Sequence, residues 1–325
     1  MNIIITSNLN TYYPELALPT IRSYTSNITK VLDLIESTNI DDLFLKYDKI
    51  IKKVKEEYPE IGTRKCKYSS CVSYIKTLLT NEDNKRNKRN KKIIEARTKY
   101  NIEIDIIKKE TIKKLSKFEK TKHEEDAWLN PEEIKLIDDN LYNKVSFNEI
   151  NTLEELKHFR NLVIFRFYTE IANRCELSIS KLYYNSEVDN IDNLNKEYNY
   201  IILDKSNKNI LYIKNQHKNK NKKGSNSILI TNNELYDLID KYKKQVEKFN
   251  TDKWFLLNDS GIKNISYSGL SILYSTFGDI IKKKISIRVN RKIQTSNVVN
   301  IGDIINVSDR LGHSVHESIH IYSKK

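Results

Sequence analysis

Glycine and proline are scarce, with 7 and 4 in 325 residues. All-β folds with many tight turns need both, so a sandwich or barrel is disfavoured. Only three cysteines occur, Cys66, Cys71 and Cys175, and no two form a Cys-x-x-Cys pair. An odd, unpatterned set argues against a disulfide framework and against a zinc ribbon, and makes a reducing compartment the default. Long apolar runs are missing too. Nothing approaches the roughly 18 residues of a membrane span. The opening Met1-Asn2-Ile3-Ile4-Ile5-Thr6 has no basic region and too short an apolar run for a signal peptide. No internal repeat is visible.

What is abundant is Lys, Asn, Ile and Tyr, a mix that suggests AT-rich coding DNA. Lys and Arg number 56 against 43 Asp and Glu, a formal charge of +13. That excess fits a polyanionic partner, and it equally fits a basic soluble protein without one. The run from Asn84 to Lys92 carries six positive charges. It can touch phosphates or form a solvated face.

Helical periodicity organises the first third. Residues 1–15 read as an N-terminal arm. After Pro19, the residues Ile21, Tyr24, Ile28, Leu32 and Ile35 share one face. Asp41 to Tyr58 predicts a second helix, broken at Pro59 and Gly62, and Thr63 can cap a third that runs towards Leu79. These make a helical domain over 16–100, followed by a charged helical linker over 101–126.

A second domain, 127–325, opens at Trp128-Leu129-Asn130-Pro131-Glu132-Glu133-Ile134. Asn130 with Glu133 is a capping box and Pro131 suits the first helical position. Thr152 with Glu155 repeats the box ahead of a helix apolar on most faces, hence buried. Three short strands then follow, at 200–203, 210–213 and 227–230, with a lysine-rich turn before the third. Asn232 or Asn233 can cap the next helix. The expected fold class is therefore mainly α with a small antiparallel β-sheet (α+β), in two domains.

The C-terminus carries the chemistry. In Leu311-Gly312-His313-Ser314-Val315-His316-Glu317, Gly312 ends one helix, and Ser314 with Glu317 boxes the start of another. His313 sits in the joint and Tyr322 follows nine residues later. Arg288 and Arg291 lie upstream, Arg291 by 22 residues from His313.

This spacing resembles the tyrosine recombinase (phage integrase) family, which carries a Leu-Gly-His segment nine residues before its nucleophilic tyrosine and a His-x-x-Arg element upstream. The resemblance implies a helical core-binding domain followed by a mixed α/β catalytic domain. It also implies that Tyr322 is the nucleophile, with Arg291 and His313 on the scissile phosphate. Arg288 stands where the family has His; a guanidinium stays protonated, so Arg288 would bind phosphate rather than act as a base. The family's first arginine follows an apolar helix in a Thr-Gly-Leu-Arg-x-x-Glu-Leu context. Arg174, in Asn173-Arg174-Cys175-Glu176-Leu177, is its candidate, although the Gly is missing and Glu176 follows two residues after the Arg rather than three. Arg166 is the alternative. The family's hairpin lysine would be Lys218, or else Lys214. His316 and His320 read as surface residues.

The resemblance further implies double-stranded DNA as partner, a dimer to tetramer on DNA, and no metal or other cofactor. The chain stops three residues past Tyr322, so the longer tail by which relatives dock on a neighbour is expected to be replaced, with residues 1–15 the candidate. A type IB topoisomerase shares this chemistry as a monomer, and a DNA-binding descendant without catalysis would keep the fold. A generic basic helical protein is the reading if the C-terminal match is chance. Cytoplasm, nucleus and virion are all open as the place of action.

Overall fold

Reciprocal capping boxes fix the first three α-helix starts that follow residue 120 in the computed structural model, which describes residues 1–79, 88–115, 120–171, 173–217, 220 and 224–296. Asn130 Oδ1 accepts from the Glu133 amide at 2.8 Å, and Glu133 returns the bond to the Asn130 amide at 3.0 Å. Thr152 and Glu155 make the same exchange, at 3.3 and 3.0 Å. A further box, Thr121 with Glu124, was not expected from the sequence. Each satisfies amides that a helix start leaves open, and replacing such a cap with alanine costs about 1 kcal/mol.

Two compact units result, Met1–Lys117 and Phe118–Lys325. The first is helical: α1 (Asn2–Tyr12), α2 (Leu18–Asp33), α3 (Asp42–Leu45), α4 (Tyr47–Glu57), α5 (Ile61–Thr77) and α6 (Lys88–Leu115). Their apolar faces close on Ile28, Leu32, Tyr68, Ile75 and Tyr100. Several local expectations change here. Within the expected arm of residues 1–15, Asn2–Tyr12 form a helix, because Ile5 and Leu9 bury in this core. The predicted helix from Asp41 splits at Lys46, whose φ of −121° and ψ of 29° leave the helical region. Thr63 and Gly62 lie inside the first turn of α5, which starts from Glu60 without a side-chain cap. Residues 101–115 continue α6. Of the basic run, 84–87 lie outside the described residues, and 88–92 begin α6.

The second unit is built around α9 (Leu153–Glu170). Phe159, Leu162, Val163, Ile164, Phe165, Phe167 and Tyr168 are all fully buried on it, which explains a helix apolar on most faces. Each such side chain contributes about 1.5–3 kcal/mol by leaving water. Around it pack α7 (Lys122–Ala127), α8 (Pro131–Tyr142), α10 (Asn233–Val246), α11 (Tyr267–Thr276) and α12 (Ile287–Ser296). Asn232 caps α10 through a bond from the Leu235 amide.

The sheet is mixed rather than purely antiparallel. β2 (Asn199–Asp204), β3 (Asn209–Lys214) and β4 (Asn226–Ile230) form the expected antiparallel meander, and β1 (Ser180–Tyr184), not foreseen, joins parallel to β2. Ile201, Leu203, Ile210, Tyr212, Ile228 and Ile230 face the main core. Tyr200, Ile202 and Ile213 face the other way and are covered by Val188, Leu194 and Tyr198. At the edge of α10 the buried Lys243 pairs with Glu187 at 3.0 Å and with Glu247, and Lys253 bridges the same two carboxylates at 2.7 and 2.9 Å. The described fold is thus mainly α with a small sheet. No helix among the described residues is long and apolar enough to cross a membrane.

Candidate functional site

Where α9 ends, the chain turns outward and Arg174 becomes the residue before a 3-10 turn, Cys175–Ile179, with extended backbone angles of −89° and −171°. Its carbonyl accepts a 2.6 Å hydrogen bond from the Tyr168 hydroxyl. Buried Asn173 donates to the Tyr212 hydroxyl at 2.7 Å, tying the same corner to β3. Arg174 is therefore held at a fixed point of the main core, with its side chain partly buried.

The other arginines arrive on α12. Ser286 accepts the Val289 amide at 3.2 Å through its hydroxyl and the Asn290 amide at 3.0 Å through its carbonyl, which starts the helix. Asn290 Nδ2 then donates to the Tyr168 carbonyl at 2.7 Å, and Gln294 Nε2 donates to the Thr169 carbonyl at 3.0 Å. Lys292, also buried, pairs with Glu124 of α7. Asn290 and Gln294 turn one face of α12 to α9, while 288 and 291, three residues apart, share another.

Arg174, Arg288 and Arg291 line one cavity of about 450 Å³, together with Cys175, Tyr267 and Ser271. Arg291 is buried, at 4% exposure, whereas Arg288 is exposed. Three fixed cations with forked donors in one cavity suit a tetrahedral oxyanion such as phosphate. Burial pushes the Cys175 thiol up to about 11, opposed by a Ser271 hydrogen bond. Burial, then Cys175 and Glu176, raise the Tyr267 hydroxyl above its ordinary value, against the pull of Arg174 and Arg291.

A second cavity of about 620 Å³ shares Arg174 and Tyr267 with the first and reaches Glu176, Gln216, His217 and Asn264. His217 follows β3 at the base of the β3–β4 hairpin, and its Nε2 lies 2.8 Å from the Gly224 carbonyl. Gly224 has φ of +67°, which favours glycine at this bend.

Of the residues singled out in the sequence, Arg174, Arg288 and Arg291 come together. Arg166 goes elsewhere: its Nε and Nη2 both donate to Asp138 at 2.8 Å on the α8 side of α9. Lys214 ends β3 opposite Asn226 and is buried. Lys218, His313 and Tyr322 lie outside the described residues, as do Gly312, the Ser314–Glu317 box, His316 and His320. Tyr267 was missed. An isolated tyrosine after Ser266 carries no spacing signal, and only the fold brings it into the cavity with the arginines. Among the described residues, no group of three or more His, Cys, Asp or Glu could hold a metal ion.

No protein-family model matches the chain, and no curated protein matches it. Among solved structures, a crystal structure of XerA recombinase is similar over 98% of this chain and 93% of that chain, at 14% identity and a TM-score of 0.41.

Proposed function

We propose that the chain is a DNA strand transferase of the tyrosine recombinase type, which cuts and rejoins duplex DNA through a 3′-phosphotyrosyl bond. The observation that carries the reading is the meeting of Arg174, Arg288 and Arg291 in one cavity, from sequence positions more than 110 residues apart. Arg291 fits the family's motif spacing with Arg288 at the place of its His, Arg174 fits a family context in part, and the competing Arg166 is committed to Asp138.

In this reading the phosphodiester sits on the three guanidiniums. They neutralise its charge and meet the extra charge that gathers on the non-bridging oxygens in the pentacoordinate transition state. Tyr322 Oη gives up its proton to solvent as it attacks phosphorus, and the bond to the 5′-oxygen breaks. The leaving oxygen takes a proton from the hairpin lysine, Lys218 or Lys214, as general acid. His313 donates a further hydrogen bond to the phosphate. Attack by a 5′-hydroxyl on the phosphotyrosine reverses the sequence, so the phosphate bond is conserved without ATP. Two protomers on inverted half-sites and four in a synapse complete the scheme.

The test is covalent capture. The full chain is incubated with supercoiled plasmid and with a pool of random-sequence duplexes carrying nicks, then denatured in detergent. The expected result is a protein–DNA adduct that Tyr322→Phe abolishes. Plasmid relaxation without any joined product would point to a topoisomerase, and binding without adduct to a non-catalytic DNA-binding protein.

A further inference from the structure

The second cavity differs in chemistry from the arginine cavity beside it. Among the described residues, Arg174 is the one arginine or lysine in its lining. The side-chain amide nitrogens of its Gln216 and Asn264 are each already engaged with the protein. Gln216 Nε2 donates to the Lys196 carbonyl at 2.6 Å, and Asn264 Nδ2 to the Ser178 carbonyl at 2.7 Å. His217 Nε2 faces the Gly224 carbonyl at 2.8 Å, an acceptor, which selects the tautomer with the proton on Nε2 and leaves Nδ1 as the acceptor. Besides the Arg174 guanidinium, shared with the phosphate cavity, and the Ser178 and Ser266 hydroxyls, what remains to meet a ligand is a set of acceptors: the two amide oxygens, His217 Nδ1 and the Glu176 carboxyl. A flat surface stands beside them, since Tyr267 is the first residue of α11 and is 57% exposed. The volume of about 620 Å³ lies within the ~300–1,000 Å³ of small-molecule pockets.

We infer that this cavity is a nucleobase pocket, which takes the base next to the phosphate held by Arg174, Arg288 and Arg291. The inference rests on the phosphate reading of the arginine cavity given above. Tyr267 supplies the stacking face, and because it lines both cavities it sits where the sugar would join base to phosphate. An acceptor-lined pocket selects bases that present an exocyclic amino group, and stacking favours the larger ring, so a purine, adenine or guanine, is the best fit, and adenine serves as its probe. Thymine, with carbonyls on both sides of its one N–H, is the poorest. Entry requires the base to leave the duplex stack, which is easiest where it is already unpaired.

The experiment measures affinity of the full chain by fluorescence anisotropy. The probes are three fluorescein-labelled duplexes of one random sequence: fully paired, with a central adenine opposite an abasic site, and with thymine in that place. The unpaired adenine should bind about tenfold more tightly than the paired duplex, and more tightly than the unpaired thymine. Tyr267→Ala should erase the preference and Tyr267→Phe should keep it. Equal affinity for paired and unpaired DNA, or a preference that survives Tyr267→Ala, overturns the pocket. Equal preference for adenine and thymine overturns the acceptor assignment. Adduct formation by the wild-type chain is scored separately. Adduct without preference removes the pocket alone, preference without adduct removes strand transfer alone, and no binding to any duplex removes both.

Discussion

Tyr168 holds Arg174 from below: its hydroxyl donates to the Arg174 carbonyl at 2.6 Å, while its own carbonyl accepts Asn290 of α12 at 2.7 Å. One fully buried tyrosine therefore links the two segments that bring arginines into the cavity. Tyr168→Phe removes the hydroxyl and leaves the Arg174 carbonyl short of a donor inside the core, at a cost of about 1–3 kcal/mol. The fold should survive, with a lower melting temperature. Adduct yield should fall by more than the melting shift accounts for, and thermal melts alongside adduct assays measure both.

The arginines should not be equivalent. Arg291 is buried in the cavity, so Arg291→Ala removes a fixed charge that water replaces poorly, with a loss of roughly 100-fold or more in cleavage rate. Arg291→Lys should recover little, because a point charge lacks the forked donor geometry. Arg288 is exposed, so Arg288→Ala should cost less and Arg288→His should keep most of the rate. Single-turnover cleavage on nicked duplex reads the order of these variants.

Thiol reactivity should split the cysteines. Burial pushes Cys71 up to about 12 and Cys175 up to about 11, so neither carries appreciable thiolate at pH 8. Cys66 is exposed. Iodoacetamide should label Cys66 in the native chain, with Cys71 and Cys175 reacting only after unfolding, as peptide mapping by mass spectrometry would show.

Acid should loosen the cluster beside α10. Burial raises the Glu187 carboxyl, but hydrogen bonds from Lys253, the Tyr184 amide and Lys243 outweigh it and bring the group down to about 2 from an ordinary 4.5. A carboxyl lowered in the folded state stabilises fully above its unfolded value and loses that contribution as pH falls from 4.5 towards 2. Lys253, raised to about 12 by its hydrogen bonds to Glu187 and Glu247, stabilises fully below 10.5 and loses that contribution as pH climbs through 12. Urea unfolding across the acid range should show a falling limb that Glu187→Gln flattens.

Local signals in the sequence were legible where the physics is local. The Asn130–Glu133 and Thr152–Glu155 boxes, the all-round apolar α9 and the three strands at 200–230 follow from spacing alone. Failures came where distant contacts decide. The stretch 180–184 becomes a strand because β2 offers an edge and Phe255 donates its amide to the Ser180 carbonyl at 2.8 Å. Residues 2–12 fold as a helix because Ile5 and Leu9 find a core. In the site, Arg288 and Arg291 were readable as a pair, and Arg174 was readable against Arg166 only by context. Tyr267 and the acceptor-lined cavity depend on α11 meeting the hairpin base, a long-range packing event with no sequence signature.

The amides of α12 that fasten it to α9 reach main-chain oxygens, those of Tyr168 and Thr169. A carbonyl is supplied by every residue type. Mutations at exposed positions near the end of α9 can therefore accumulate without shifting the helix that carries Arg288 and Arg291. Drift is tightly constrained only where a side chain itself makes the tie, as at Tyr168, Asn290 and Gln294. A lineage under rapid sequence change could thus rewrite much of this surface while its cationic centre keeps its shape.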